Sequence, residues 1–387
     1  MAQLTVTTLE EIPVTTYLNR PHPKFDWFIP IDGDGYKAGT LQAEREPTFK
    51  YLSEVVQTAE NLGFYSLLIP TRFANGLFSE DAPLAETWTM ATALAAVTKK
   101  IRFLIAVRPG FISLGLFAQM AGALHEISNG RIDINIVPGG IQNDLERIGE
   151  TSDHSTRYQR AEEFIDACRT LWNTEGPVSY DGSFYKLNGA YCSPSPGSNP
   201  PRFYLGGVSD NAIGLSSRQA DVHLGWIEPL ENTEKRLIQL KNAFETSERS
   251  PSFGLRTHII MRNTEEAAWK AAEDLISNAD PIVKAQRRSS IEGTVMVGQQ
   301  AQAVKAPDHR LGKYLWNGLS EVRVNCGSAL VGTPEQICQE LLSYWGLGID
   351  EFILSGFPHV EECHRVSEEL LPMLRGAIEN KIDRDSN

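Results

Sequence analysis

Short runs of β-forming residues alternate with longer amphipathic stretches along nearly all of the 387-residue sequence. Most of these runs are continuously apolar, which is typical of parallel strands covered on both faces. Eight strands separated by helices make up a (β/α)8 barrel, a fold that needs about 250 residues and tolerates insertions. We predict strands at 25–31, 65–71, 101–107, 132–137, 202–207, 222–226, 253–261 and 351–356.

An open, doubly wound α/β sheet is the main alternative to this fold. No G-x-G-x-x-G motif follows the first predicted strand to mark a dinucleotide turn, so the sequence favours the (β/α)8 TIM barrel. We expect the surplus residues to form insertions at its C-terminal face. The longest insertion, 279–332, has few apolar anchors, and we predict that it forms a lid over the barrel mouth. We assign 1–24 to an N-terminal extension, 25–376 to one barrel domain, 32–47, 72–84, 174–201 (with a hairpin near 180–187) and 279–332 to insertions, 359–376 to the last helix, and 377–387 to a tail.

Composition argues against several classes of function. The formal net charge is −13 and no basic stripe is visible, which disfavours binding to nucleic acid or to an anionic membrane. Five cysteines without a CxxC pair suggest neither a disulfide framework nor a metal cluster. No run approaches the roughly 18 apolar residues of a membrane span, and the N-terminus does not resemble a signal peptide. We therefore expect a cytoplasmic protein that acts on a small molecule without a metal.

Residues that follow barrel strands are the candidates for chemistry, because barrel active sites lie at that end. Gly206, Gly207, Ser209 and Asp210 lie between the fifth strand and a helix and could seat a phosphate on free backbone N–H groups. The alternative is an ordinary glycine-rich turn in which Ser209 or Asp210 caps the helix.

Four further residues are candidates for binding an anion or moving a proton. Arg256 and His258 are two positions apart on the seventh strand and so share a face, where the arginine could neutralise an anionic substrate. An outward Arg256 paired with a helix remains an alternative. Arg323, near the end of the predicted lid, could move onto the anion on closure or remain solvated. His359 could serve the site or be a loop histidine.

Several motifs occur together in one order: DHSTRY at 153–158, GGVSD at 206–210, GLRTH at 254–258, LWNG at 315–318 followed by Arg323 and ALVG at 329–332, and LSGFPHVEE at 354–362. On these motifs the chain resembles the bacterial luciferase-like family of flavin-dependent monooxygenases, and within it the FMNH2-dependent alkanesulfonate monooxygenases, from Phe25 to about Arg375.

The resemblance implies a barrel that receives reduced FMN from a separate NAD(P)H-dependent reductase, uses O2, and cleaves an organosulfonate to sulfite and an aldehyde. It also implies a homo-oligomer, a dimer or tetramer. It places Trp226, Arg256, His258, Arg323 and His359 at catalytic positions, with Trp226, Arg256 and Arg323 also contacting substrate. Residues implied to bind the flavin are Thr71, Ala106, Gly139, His154, Tyr158, Gly207 and Ser209.

Three departures from the family pattern concern the substrate. Ser79 stands where these enzymes usually carry a cysteine, and an inserted stretch, 72–76, precedes it. Asp32 replaces a histidine, and Phe357 replaces a tyrosine whose hydroxyl is a potential proton donor. As an additional acceptor, Asp32 would suit a polyhydroxylated substrate such as a sugar sulfonate of the sulfoquinovose type.

Other functions remain compatible with the sequence. The same flavin chemistry could act on a sulfone, a pyrimidine or another small molecule, although the pair Arg256 and Arg323 favours an anion. A flavin-binding relative without turnover and a deazaflavin-dependent dehydrogenase are alternatives from other classes.

Overall fold

A closed barrel of eight parallel strands forms the centre of the structure, a computed structural model that describes residues 22–140, 142–292 and 306–385. The last barrel strand pairs with the first, with Lys24 opposite Glu351, which closes the barrel. All eight predicted strands are confirmed. The barrel strands, in spatial order, are β1 (Lys24–Phe28), β2 (Ser66–Ile69), β3 (Arg102–Val107), β4 (Ile132–Ile136), β7 (Phe203–Gly206), β8 (Val222–Trp226), β9 (Ser252–Met261) and β12 (Glu351–Ser355).

Parts of three predicted segments lie outside these described ranges. They are residues 1–21 of the N-terminal extension, residues 293–305 of the predicted lid and the last two residues of the tail.

Alternation along the strands divides the apolar side chains between the barrel interior and the surrounding helices. On β1, Phe28 belongs to an interior cluster with Leu68, Leu104 and Ile353, whereas Trp27 packs in the larger cluster that includes the helices. Phe28 is the last residue of its strand and lines the cavity at the barrel mouth.

Helices follow the barrel strands and cover the outside. Local sequence signals set where the helices begin. For example, Thr333 is the N-cap of the helix that begins with Pro334, and it forms a reciprocal capping box with Gln336 in the first turn. The last helical segment, predicted to end near 376, continues to Asp385 through a π turn at Val366–Leu370. No helix in the described ranges is long and apolar enough to cross a membrane. The helices are α1 (Phe49–Asn61), α2 (Thr87–Ala96), α3 (Leu114–Ile127), α4 (Gln142–Arg147), α5 (His154–Asn173), α6 (Asp210–Gln219), α7 (Leu230–Thr246), α8 (Glu265–Ile276), α9 (Pro281–Glu292), α10 (Pro334–Leu347), α11 (His359–Arg365) and α12 (Leu371–Asp385).

Two insertions contain strands of their own. The predicted hairpin is present as β5 (Val178–Asp181) and β6 (Lys186–Ala190). Within 279–332, β10 (Leu315–Trp316) pairs with β11 (Ala329–Gly332), which lies parallel to the outer half of β9.

The described end of the predicted lid, residues 306–332, is firmly packed. Trp316, Leu319 and Val322 are buried in a second hydrophobic cluster that also contains Phe78 and Phe357. The expectation of few apolar anchors is therefore wrong for this part of the insertion. It arose because the apolar residues are spaced without helical or strand periodicity.

Candidate functional site

A cavity of about 200 Å³ lies at the carboxyl ends of the barrel strands. Its walls come from β1, β2, β3, β4, β7, β8 and β9 and from the loops that follow them. The structure brings together in this cavity all seven residues expected to bind a flavin, together with Trp226 and Arg256. The seven are Thr71, Ala106, Gly139, His154, Tyr158, Gly207 and Ser209.

The start of α6 forms one end of the cavity. Ser209 is the N-cap, and its Oγ accepts a hydrogen bond from the Ala212 amide at 3.3 Å, as the simpler alternative predicted. The same residue also lines the cavity. Gly207 has φ of 136°, and a Cβ there would lie 2.6 Å from Cβ of Ala212. Only glycine fits this turn without displacement.

The first turn of α5 lies against the start of α6. The ring of His154 packs against that of Tyr158 at a tilt of 34°, with the centroids 4.7 Å apart, and its Nδ1 is 3.1 Å from Nδ2 of Asn211. Burial raises the pKa of Tyr158, so its hydroxyl remains protonated and able to donate. Two helix N-termini, a phenol and an imidazole therefore converge at this end, which suits a phosphate group.

The cavity wall near β3 and β4 presents backbone and small side chains. Gly139 lies across from Tyr158, and its carbonyl accepts a hydrogen bond from Nη1 of Arg108 at 2.8 Å. The Ala106 carbonyl accepts from the indole of Trp88 at 3.0 Å. Small residues here leave room for a flat ring, and both carbonyls already accept hydrogen bonds from side chains.

Two buried guanidinium groups lie close to the ring of Phe28; Arg256 lines the cavity, whereas Arg323 is buried beside it without lining it. The guanidinium carbons of Arg256 and Arg323 lie 3.7 and 5.3 Å from the ring centroid. In each residue, Nε and Nη2 are buried and have no hydrogen-bond partner among the residues that the structure describes. Burial lowers the pKa of Arg256 to about 10 and that of Arg323 to about 9, and the positive charge of neighbouring arginines contributes. Within the described ranges neither guanidinium forms an ion pair, although the charge of Asp32 acts on both, and unpaired buried donors are the arrangement expected of an anion site.

Trp226 adjoins this pair, because it lies opposite Arg256 in the register of β8 and β9. It is half-buried and lines the cavity.

Both candidate histidines are buried and neither lines the cavity. His258 is held at both ring nitrogens, 2.8 Å from Oγ of Ser355 and 3.2 Å from the Cys326 carbonyl, and it stacks on Phe357 at 5.5 Å. His359 packs edge-on against Phe357 at 5.4 Å, and its Nδ1 meets no hydrogen-bond partner within the described part of the chain. Burial, reinforced by Arg323 and Arg256, holds both pKa values well below 6.5. Both imidazoles are therefore neutral near pH 7.

Asp32 makes contacts that differ from the expected free acceptor. Its Oδ2 accepts from Nε of Arg72 at 3.1 Å and its Oδ1 from the Gly76 amide at 2.7 Å. It is 1% exposed and does not line the cavity. The inserted stretch 72–76 supplies both partners, so the role of Asp32 in this structure is that of the counter-ion of Arg72.

No role was assigned from the sequence to several arginines of the site, although Arg72 and Arg108 were visible at strand ends. Arg108 and Arg157 line the cavity, and Arg72 and Arg287 are buried nearby. Arg72 and Arg108 follow strands, so their positions were a usable signal. Arg287 had no such signal because it lies in a polar helix. The part of the chain that the structure describes contains no group of three or more His, Cys, Asp or Glu placed to hold a metal.

These features define a (β/α)8-barrel protein with an arginine-rich cavity at the catalytic end of the barrel. A family model described as luciferase-like monooxygenase matches residues 24–351, and the chain belongs to that family.

Solved structures with this fold cover nearly the whole chain. It is similar to DmoA from Hyphomicrobium sulfonivorans, with 19% identity and a TM-score of 0.76 over 92% of this chain and 89% of that one. It is similar to the riboflavin lyase RcaE, solved with modified FMN and riboflavin, with 17% identity and a TM-score of 0.74 over 92% of both chains. The long-chain alkane monooxygenase LadA gives 16% identity and a TM-score of 0.74 over 95% and 97%. At these identities the likeness shows a shared fold.

Proposed function

We propose that this protein is the oxygenase of a two-component system that uses FMNH2 and O2 to cleave the C–S bond of an organosulfonate. The products are sulfite and an aldehyde or another carbonyl compound. Family membership supports the monooxygenase class. The anion site beside the cavity supports the sulfonate.

The residues of the cavity fit FMN. The α6 start with Gly207 and Ser209, together with Tyr158 and His154, would hold the phosphate, because these groups offer donors and a helix N-terminus. Thr71, Ala106 and Gly139 would lie along the ring, where small side chains leave space. Bound reduced flavin would supply the electrons that activate O2.

The buried pair Arg256 and Arg323 is the observation that carries the sulfonate proposal. A sulfonate is a permanent anion with three acceptor oxygens, and the pair offers four buried N–H-bearing atoms without partners. Charge-assisted bonds in a water-poor site are the strongest kind of hydrogen bond available here. Trp226, beside Arg256, would cover the substrate and exclude water.

The neutral histidines shape the site without adding charge. His258 supports the Phe357 ring, and His359 packs among the rings of Trp27, Phe28 and Phe357. With Phe357 in place of the family's tyrosine, the side chain at this position supplies no hydroxyl to exchange a proton. We infer that His258 and His359 order the base of the site, which leaves the two guanidinium groups to balance the negative charge that develops.

The reductase and the oligomer also belong to this proposal. A transient NAD(P)H-dependent flavin reductase would deliver FMNH2, and the chain would form a homodimer or homotetramer. All five cysteines are free thiols, which suits a reducing cytoplasm.

A substrate panel tests the proposed reaction. Sulfite release is measured with FMN, a flavin reductase and NAD(P)H on simple, aromatic and sugar sulfonates, with a sulfone and a pyrimidine alongside. We expect sulfite from at least one sulfonate. Turnover of only the sulfone or the pyrimidine would contradict the sulfonate assignment, and a failure to consume O2 would favour a deazaflavin-dependent dehydrogenase or a protein without turnover.

A further inference from the structure

The backbone on both sides of Arg323 is tied to buried groups of other segments. The Val322 carbonyl accepts a hydrogen bond from Nε of Arg287 at 3.2 Å, and the Val324 carbonyl accepts one from Nη2 of Arg72 at 3.3 Å. The Val324 amide donates to the Gly76 carbonyl at 2.9 Å. These bonds leave the Arg323 guanidinium free for a ligand while fixing where its side chain begins.

Arg287 forms the centre of this arrangement. It lies in α9, outside the barrel strands in sequence, yet it is only 2% exposed. Besides Val322, its guanidinium donates to the carbonyls of Asn75 and Phe78 through Nη2. One buried side chain therefore joins α9, the inserted stretch after β2 and the segment that carries Arg323.

Asp32 and Asn75 complete the support from the other side. Nδ2 of Asn75 donates to the Asp32 carbonyl at 2.7 Å, and Oδ1 of Asn75 accepts from the amides of Leu77 and Phe78. The Asp32 carboxylate neutralises Arg72, as described above. The side chains of Asp32, Arg72, Asn75 and Arg287 therefore bond to one another or to nearby backbone, whereas Arg256 and Arg323 each keep donors that no described residue engages.

We propose that Arg287 is a positioning residue that holds Arg323 beside Arg256 over Phe28. This inference rests on the proposed function, in which Arg323 binds the substrate anion. The role requires a guanidinium, because one planar fork reaches three carbonyl oxygens on two segments. A lysine retains the charge but not this geometry, so Arg323 would lose its fixed starting position and bind the anion less well.

The test is a calorimetric titration with inorganic sulfate and with methanesulfonate, without and with reduced FMN under anaerobic conditions. Arg288 is the matched control, because it is the next residue of α9 and is exposed. We expect Arg287→Lys to weaken anion binding about tenfold, as loss of supporting contacts commonly does, and Arg288→Lys to leave it unchanged. Arg72→Lys, which alters the bond to Val324, should act in the same direction and serves if Arg287→Lys does not fold.

A double-mutant cycle separates positioning from a general loss of structure. If Arg287 acts through Arg323, Arg287→Lys should add no further loss of affinity in an Arg323→Met background. Additive losses, or unchanged affinity in both Arg287→Lys and Arg72→Lys, would overturn the inference. Failure of the unaltered protein to bind either anion would instead contradict the proposed function.

Discussion

Replacing Arg256 with methionine should make the free protein more stable while removing its affinity for anions. Burial lowers the pKa of this guanidinium from 12.5 to about 10. At about 1.4 kcal/mol per pH unit, keeping the charge in the folded protein costs about 3 kcal/mol. Methionine is shorter than arginine but of similar volume, so it fills most of the space, and it forfeits a cation–π contact with Phe28 of about 1 kcal/mol. We therefore expect a net gain of about 2 kcal/mol in the free energy of unfolding.

Urea unfolding at pH 7 in a Tris chloride buffer, free of sulfate and sulfonate, measures this gain. Arg202 is the matched control: it is bound to Asp133 at 2.8 Å, and its pKa is raised, so Arg202→Met should destabilise. Methanesulfonate should raise the melting temperature of the unaltered protein but not that of Arg256→Met. A loss of stability in Arg256→Met comparable to that in Arg202→Met would show that the charge is compensated and would refute the reasoning.

Three further predictions concern pH, the phosphate end and the flavin. Burial raises the pKa of Asp34 from 3.8 to about 6, so the folded state holds this proton more tightly than the unfolded state does. The free energy of unfolding should therefore fall by about 3 kcal/mol as pH rises from about 4 to 6. Asp34→Asn should lack this pH dependence in urea titrations, and an unchanged slope would contradict the prediction. Gly207→Ala should lose about 1–3 kcal/mol of stability and bind FMN at least tenfold more weakly by fluorescence titration, whereas Gly63→Ala, also at positive φ but with nothing within 4 Å, should keep its FMN affinity. The protein should bind reduced FMN more tightly than oxidised FMN in anaerobic titrations, and oxidised flavin that survives purification would contradict this.

The strands and the gathering of the cavity residues were predictable because both follow from local patterns. Continuous apolar runs specify buried parallel strands, and residues such as Thr71 and Gly139 follow those strands. Barrel closure then brings them to one mouth. The N-cap role of Ser209 likewise depends only on its immediate neighbours.

The supports of the anion site were not predictable because they depend on distant pairings. Asp32 meets Arg72 forty positions along the chain, and only the path of the inserted stretch decides this. In α9 two arginines stand side by side in the sequence, yet Arg287 is buried and Arg288 is exposed. The register of that helix against the 72–78 segment decides which one enters the core, and no periodicity reveals it.

A single-turnover experiment tests the central claim most directly. The protein is mixed anaerobically with stoichiometric reduced FMN and a sulfonate from the panel, then exposed to O2 without a reductase, and sulfite and H2O2 are quantified. We predict close to one sulfite per FMNH2 for the unaltered protein, and H2O2 with little sulfite for Arg256→Met. H2O2 without sulfite from every sulfonate tested, or equal sulfite from both proteins, would contradict the account.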